Sequence, residues 1–119
     1  MKMGIVILMV RDIARSKKFY TEVIGLKVEE SQSNEQFVAL ITEGPLLALQ
    51  DVSSATAPQQ TKQAGSVEVG FNMNGVDDTF RRWKNAGVEV VKEPEDRPFG
   101  RYFLVKDPDG HYLDVYGQA

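Results

Sequence analysis

The stretch Pro98 to Gly117, PFGRYFLVKDPDGHYLDVYG, contains two β-rich runs and the turn that joins them. The runs are 101–106 and 111–116, and Asp107-Pro108-Asp109-Gly110 lies between them. Proline presets the backbone at the first corner of a tight turn, and glycine accepts the positive φ that closes it. The stretch therefore predicts a β-hairpin.

The second strand of this hairpin separates an apolar face from a face that carries a carboxylate. Leu113 and Val115 alternate with Tyr112, Asp114 and Tyr116, and successive side chains of a strand point to opposite faces of the sheet. The aspartate therefore stands between two phenols on one face. The surroundings of that face decide which chemistry the protein can perform.

Length and composition restrict the class of protein. The chain has 119 residues, of which 42% are hydrophobic and 26% charged, as is usual for one soluble globular domain. It contains no cysteine, which excludes thiolate metal sites and fits a cytoplasmic location. A net charge of −3 without a basic block argues against a nucleic-acid partner. Because no apolar run is long enough to span a bilayer, no membrane partner is expected either.

The predicted elements occur in the same order twice. The first module, residues 1–50, is predicted to contain a strand, a helix and three strands at 3–10, 13–24, 26–30, 36–42 and 46–50. The second module, residues 67–119, repeats this order at 67–73, 78–86, 88–92, 101–106 and 111–116. We expect the polar segment 51–66 between them to be a linker, so that the chain is one domain of two repeated modules.

The same signals begin and end the helix in each module. Asp12 is predicted to cap the first helix, which Gly25 ends. Asp77 is predicted to cap the second helix, which Gly87 ends. The residues 93–99 are predicted to form a loop before the opening hairpin.

A duplicated βαβββ unit indicates an α+β fold. We expect two modules in tandem that form a curved, mixed and mostly antiparallel sheet, with helices on one face and a cavity on the other. The cavity face should be largely apolar and aromatic with a few polar groups, as small-molecule pockets are. The residues predicted to bind a ligand there are Ile5, Ile7, Phe37, Ala48, Gln50, Glu68, Asn72, Tyr102, Leu104, Tyr112, Asp114 and Tyr116.

Two other interpretations of this face remain open, namely a closed core and a dimer interface. We favour the ligand cavity because buried carboxylates are costly and are seldom present without a partner. Phe80 and Trp83 have core spacing on the second helix and are assigned to packing.

Taken together, these features resemble the vicinal oxygen chelate superfamily of glyoxalase I, extradiol dioxygenases, fosfomycin-resistance enzymes and bleomycin-resistance proteins. The segments that carry the resemblance are Val10-Arg11-Asp12, Phe19-Tyr20, Val23-Ile24-Gly25-Leu26, Val69-Gly70-Phe71, Phe99-Gly100-Arg101 and Asp107-Pro108-Asp109-Gly110. They extend over essentially the whole chain. The resemblance implies paired βαβββ modules around a cavity, in a protein that is expected to be a homodimer.

Enzymes of this superfamily hold one divalent metal with four side chains, and the resemblance places those positions at Ile5, Ala48, Glu68 and Asp114. The two acidic residues are candidate metal ligands and candidate catalytic residues, whereas the two aliphatic ones have no ligating atom. We therefore expect no tight catalytic metal and at most a weakly bound Mg²⁺ or Mn²⁺. The only histidine, His111, is expected in the hairpin turn, on the opposite face.

The same two carboxyl groups suggest a second kind of chemistry. We expect Glu68 and Asp114 to face each other across the boundary between the modules. If they lie close together in an apolar cavity, one of them should hold a proton near neutral pH. Such a pair can exchange protons with a substrate, or it can bind a cationic ligand.

Three functions follow as hypotheses. The first is a glyoxalase/bleomycin-resistance-like protein that binds a small cationic or aromatic ligand. The second is a metal-dependent lyase, isomerase or transferase of the glyoxalase type with a degraded metal site. The third is a structural homodimer without a ligand. The fosfomycin subclass is disfavoured because its phosphonate needs basic groups, and the predicted cavity face contains no lysine or arginine.

Overall fold

The computed structural model describes residues 3–54 and 67–119. These residues form two compact units, one on each side of the segment 55–66. Most of the predicted linker 51–66 therefore lies outside the described residues, and Asp51 belongs to the last strand of the first unit. Among the described residues, no helix is long and apolar enough to cross a membrane.

The first unit follows the predicted order of one strand, one helix and three strands. Its elements are β1 (Ile5–Val10), α1 (Ile13–Lys18), β2 (Lys27–Val28), β3 (Phe37–Ile41) and β4 (Leu46–Asp51). The strands form a sheet in the order β1-β4-β3-β2. The pair β1 and β4 is parallel, and the other two pairs are antiparallel.

The helix of the first unit begins where the sequence predicts. The Asp12 carboxylate accepts a hydrogen bond of 3.1 Å from the Arg15 amide, and this bond caps the helix. The chain then widens into a π-helical segment, Phe19–Val23, in which Tyr20 is fully buried. It leaves the helix at Gly25, whose φ is 92°.

The second unit repeats this arrangement. Its elements are β5 (Glu68–Asn72), α2 (Val76–Asn85), β6 (Glu89–Arg97), β7 (Gly100–Lys106) and β8 (Tyr112–Gly117). They form a sheet in the order β5-β8-β7-β6, in which β5 and β8 are parallel. The fold class is therefore the predicted one, with two tandem βαβββ modules of mixed, mostly antiparallel sheet.

One face of the second sheet forms the core of its module against α2. Phe103 is fully buried, and its ring centroid lies 5.3 Å from that of Phe80 and 5.5 Å from that of Trp83. Leu113 and Val115 of β8 are also fully buried. The predicted alternation is confirmed, because the intervening residues of β7 and β8 must point to the face away from the helix.

The start of α2 differs from the prediction. The N-cap is Gly75, which has a φ of 74°, and the helix begins at Val76. The prediction that Asp77 caps the helix is wrong, since its carboxylate accepts a hydrogen bond of 2.9 Å from Nε of Arg101 instead. An acidic residue in the first turn still favours the helix through its dipole.

The prediction of a loop is wrong over residues 93–97, because β6 continues to Arg97 as an edge strand of its sheet. Its register against β7 shifts on both sides of Lys92, and each shift adds one residue to β6. Pro94 lies within the second shift. Proline is tolerated in edge strands and at bulges because no ladder hydrogen bond has to be broken there.

The hairpin between β7 and β8 forms as predicted. The Gly110 amide donates to the Asp107 carbonyl at 3.0 Å, and the φ of this glycine is 88°. The Asp107 carboxylate accepts hydrogen bonds of 2.9 Å from the amides of Asp109 and His111. This buried carboxylate therefore holds the whole turn in one conformation.

Candidate functional site

An open pocket of about 530 Å³ lies on the second sheet, on the face that points away from α2. All four strands of the sheet and the turn between β6 and β7 contribute to it. The residues that line it are Glu68, Lys92, Arg97, Phe99, Tyr102, Asp114 and Tyr116. The pocket therefore combines aromatic rings with charges of both signs.

Part of the predicted ligand-binding set comes together in this pocket. Four of the twelve predicted residues line it, namely Glu68, Tyr102, Asp114 and Tyr116. The strand register places Asn72, Leu104 and Tyr112 on the same face, but these three do not line the pocket. The pocket therefore lies on the face that the alternation predicts, and the part of these residues in ligand binding stays a prediction.

The other five predicted residues belong to the sheet of the first module. Ala48 and Gln50 of β4 are buried, and Phe37 of β3 is half-buried. Ile5 and Ile7 of β1 are 41% and 43% exposed. Their role in ligand binding stays a prediction.

Glu68 and Asp114 lie on neighbouring parallel strands of one sheet, β5 and β8, and not across the boundary between the modules as expected. Their side chains are hydrogen-bonded to each other, which requires one of them to carry a proton. Burial, this hydrogen bond and the charge of Glu68 together raise the pKa of Asp114 to about 7. Near neutral pH a protonated Asp114 therefore has one O–H, which is donated either to Glu68 or to a ligand that takes its place.

Gly70 provides the space that the Asp114 carboxylate occupies. The two residues are register partners on β5 and β8. A Cβ atom on the glycine would lie 3.0 Å from Oδ1 of the aspartate, closer than ordinary van der Waals contact. The glycine of the Val69-Gly70-Phe71 segment therefore belongs to the site.

Three aromatic rings, those of Phe99, Tyr102 and Tyr116, form one side of the pocket, here called the aromatic wall. The Phe99 centroid lies 5.7 Å from that of Tyr102 and 5.9 Å from that of Tyr116, and both pairs are nearly perpendicular. Phe99 is 57% exposed although it is fully apolar. Burial and the nearby acidic groups raise the pKa of Tyr102, so its phenol stays protonated.

The expectation that the cavity face contains no lysine or arginine is wrong, because β6 brings Lys92 and Arg97 into the lining. Nε and Nη2 of the arginine donate to Oε1 of Glu95 at 3.1 and 2.7 Å. Its guanidinium also lies 5.3 Å from the ring centroid of Tyr102. The lysine forms no ion pair with any residue in 3–54 or 67–119. The argument against a fosfomycin-resistance enzyme, which was that this face has no basic residue, therefore no longer holds.

The described residues do not supply the metal site that the superfamily implies. Ile5 and Ala48 have no ligating atom. Within residues 3–54 and 67–119, no three His, Cys, Asp or Glu side chains are grouped so that they can hold a metal ion. Of the remaining candidates, Glu68 and Asp114, the aspartate has a pKa raised to about 7, so a metal would have to displace its proton near neutral pH. This donor set does not fit a four-ligand zinc or nickel site.

His111 has a structural environment at the hairpin turn. Its Nδ1 lies 2.7 Å from Oδ2 of Asp107, whose side chain is fully buried. The hydrogen bond to this carboxylate raises the pKa of the histidine against the opposing effect of burial. The residue does not line the pocket, in agreement with its predicted place in the turn.

A family comparison covers almost the whole chain. The family model described as the Glyoxalase/Bleomycin resistance protein/Dioxygenase superfamily matches residues 2–115. The phenazine antibiotic resistance protein EhpR of Enterobacter agglomerans is 31% identical over 112 residues, which cover 89% of this chain and 84% of that protein. The probable lactoylglutathione lyase of Vibrio parahaemolyticus is 29% identical over 119 residues, which cover 91% of this chain and 84% of that protein.

Solved structures share the fold at lower sequence identity. The superposition on TioX from a Micromonospora species covers 97% of each chain, with a TM-score of 0.76 at 22% identity. Lactoylglutathione lyase from Agrobacterium tumefaciens has a TM-score of 0.77 at 18% identity, with 97% of this chain and 92% of that chain covered. At these identities the likeness concerns the fold alone.

Proposed function

Because the chain belongs to the glyoxalase/bleomycin resistance protein/dioxygenase superfamily, we propose that it binds a small planar aromatic molecule in the pocket of its second module, without a tight catalytic metal. The observation that carries this proposal is the aromatic wall of Phe99, Tyr102 and Tyr116 beside a hydrogen-bonded carboxyl pair. Aromatic rings give a large contact area to a flat ligand. A hydrogen bond from the carboxyl pair would fix the orientation of that ligand in the pocket.

The geometry suggests how each group contributes to binding. The ligand lies against the aromatic wall, where the exposed ring of Phe99 loses contact with water. The O–H of a protonated Asp114 turns from Glu68 to an acceptor atom of the ligand, such as a ring nitrogen. A protein of this kind acts by holding its ligand and lowering the free concentration, so no bond has to be broken.

A relative's name supports an aromatic ligand. EhpR is described as a phenazine antibiotic resistance protein, and phenazines are flat three-ring heteroaromatics whose ring nitrogens accept hydrogen bonds. Both properties match the pocket. The raised pKa of Asp114 also gives its carboxyl group less negative charge near neutral pH than a free aspartate has, which favours an aromatic ligand over a purely cationic one.

Isothermal titration calorimetry with phenazine tests the proposal. We expect the wild-type protein to bind phenazine and Phe99→Ala to bind it about twofold to tenfold more weakly, because one aromatic contact contributes about 0.5–1.5 kcal/mol. Val91→Ala is the control, since Val91 is an exposed apolar residue of β6 that does not line the pocket. A wild-type protein that binds no phenazine would contradict the proposal.

A second candidate function is metal-dependent lyase or isomerase chemistry of the glyoxalase type. Two observations favour it, namely the identity to the probable lactoylglutathione lyase and the carboxyl pair, which is able to exchange a proton near neutral pH. An assay for lactoylglutathione formation, with and without added Mg²⁺, Mn²⁺ or Zn²⁺, separates the two functions. Turnover that Asp114→Asn abolishes would support the enzyme.

The quaternary state and the location of the protein stay predictions. A homodimer is supported by the exposed Ile5 and Ile7 of β1, which is an edge strand of its sheet. Light scattering coupled to size-exclusion chromatography would distinguish the dimer from a monomer. The cytoplasmic location continues to rest on the lack of cysteine.

A further inference from the structure

We infer that the ligand is a planar aromatic carboxylate and that Lys92 binds its carboxylate group, an inference that rests on the proposed function. It follows from a row of residues that crosses the second sheet and changes in charge from one end to the other. The row, here called the pocket row, consists of Gly70, Asp114, Leu104 and Lys92.

The strand register defines the pocket row. Gly70 pairs with Asp114, Asp114 with Leu104, and Leu104 with Lys92. Side chains of directly paired residues lie on the same face of a sheet. Asp114 and Lys92 are two strands apart, which corresponds to about 10 Å because neighbouring strands are about 4.8 Å apart. This is a separation of the backbones, and the long flexible side chain of Lys92 can cover part of it, so one ring system can contact both ends of the row.

The centre of the row is apolar. Leu104 is 7% exposed and lies between the acidic end and the basic end. Leu104 lies beneath the pocket and does not line it, so the apolar contacts of a flat ligand come from the aromatic wall. At the acidic end Asp114 and Glu68 both line the pocket, and a protonated Asp114 can donate its O–H to an acceptor of the ring system in place of Glu68.

The basic end of the row calls for an anionic group. Arg97 is already bound to Glu95 through two nitrogens, so its charge is largely compensated within the protein. Lys92 lines the same pocket and forms no ion pair with a residue in the described ranges 3–54 and 67–119. A carboxylate at this end would give the ammonium group its partner.

Two ligands of nearly identical shape test the inference, namely phenazine-1-carboxylate and its uncharged isostere phenazine-1-carboxamide. We expect the wild-type protein at neutral pH and low salt to bind the carboxylate about tenfold more tightly, because a charge-assisted hydrogen bond replaces a neutral one. The preference should decrease as salt is added. Calorimetric titrations of both compounds give the ratio of dissociation constants directly.

Lys92→Gln should reduce this ratio to about one while binding of the carboxamide stays unchanged. The matched control is Lys84→Gln. Lys84 is an exposed lysine of α2 that does not line the pocket, and its Nζ lies 3.8 Å from Oε1 of Glu93. This control should keep the wild-type preference. Because both lysines are on the surface, both variants should fold, and circular dichroism melting checks that they do.

The outcomes distinguish this inference from the proposed function. If phenazine and both derivatives bind equally well, or if Lys92→Gln keeps the carboxylate preference, the inference is wrong and the proposed function stands. If no phenazine derivative binds, both are wrong. A carboxylate preference that is lost in Lys92→Gln and kept in Lys84→Gln supports both.

Discussion

Gly70 and Asp114 lie directly opposite each other on β5 and β8, and the carboxylate occupies the space of the side chain that the glycine lacks. A Cβ atom on the glycine would lie 3.0 Å from Oδ1 and 3.3 Å from Oδ2 of the aspartate. This close approach allows the aspartate to lie against β5, where its partner Glu68 is located. The glycine is therefore part of how the carboxyl pair is built.

We predict that Gly70→Ala separates the carboxyl pair. The added methyl group has to push the Asp114 carboxylate away from β5, which weakens its hydrogen bond to Glu68 and exposes it to water. The pKa of Asp114 should then fall from about 7 toward the ordinary range of an aspartate. Titration of the side-chain carboxyl carbons by ¹³C NMR measures this change.

Gly4→Ala is the matched control for this experiment. A Cβ on Gly4 would meet no atom within 4 Å, so the same chemical change has no steric effect there. Its carboxyl titrations should equal those of the wild type. An Asp114 pKa that is unchanged in Gly70→Ala would show that the glycine does not position the carboxylate.

Alternation along regular strands allowed the acidic side of the pocket to be predicted from the sequence. The period of two in β8 puts Leu113 in the core and Asp114 on the opposite face, and the structure confirms both. The repeat of the βαβββ order then supplied Glu68 as a residue on the same face. These inferences hold because no bulge interrupts β5 or β8.

The basic side of the pocket was missed for a physical reason. Each bulge in β6 adds one residue to the strand, so the alternation of side chains with a period of two does not predict the face on which Lys92 or Arg97 lies. The sequence signal that was available is Pro94 among charged residues, a composition typical of an edge strand as well as of a loop. The cap at Gly75 was missed in favour of Asp77, because acidic residues are also favoured within the first turn of a helix.

The stability of the protein should depend on the titration of Asp114. Its pKa rises from an ordinary 3.8 to about 7 in the folded state, so the folded protein binds more protons than the unfolded chain between these values. The free energy of unfolding should therefore decrease as the pH rises through this window. Asp114→Asn removes the titrating group and should make this decrease smaller.

Urea unfolding at a series of pH values tests this expectation. Asp114→Asn should be more stable than the wild type above pH 7, where the wild-type Asp114 has lost its proton, and the advantage should disappear at acidic pH. Leu104→Met, a change of a neighbouring apolar residue without a charge, is the control and should keep the wild-type pH dependence. Equal pH dependence in the wild type and Asp114→Asn would contradict the coupling of the two carboxyl groups.

The hairpin turn should give a separate pH effect through His111. The hydrogen bond to Asp107 raises the pKa of the histidine above its ordinary 6.5, so this stabilisation is complete below pH 6.5 and is lost as the pH rises through the folded-state pKa. His111→Gln should therefore destabilise the protein more at acidic than at alkaline pH. A charge-assisted hydrogen bond typically contributes about 1.5–3 kcal/mol, which sets the upper range of the loss. A loss of stability that is the same at every pH would indicate a packing role only.

The carboxyl pair should bind divalent metals only weakly. Glu68 and Asp114 provide two ligating side chains, the raised pKa of Asp114 opposes its deprotonation, and the family positions Ile5 and Ala48 add no ligand. We expect dissociation constants for Mn²⁺ and Mg²⁺ of about a millimolar or weaker, and we expect no change in melting temperature when EDTA is added. Paramagnetic broadening of the NMR signals by Mn²⁺ locates any weak site, and Asp114→Asn should remove it. One metal ion per chain in protein purified without a chelator, together with a lower melting temperature after its removal, would contradict this prediction.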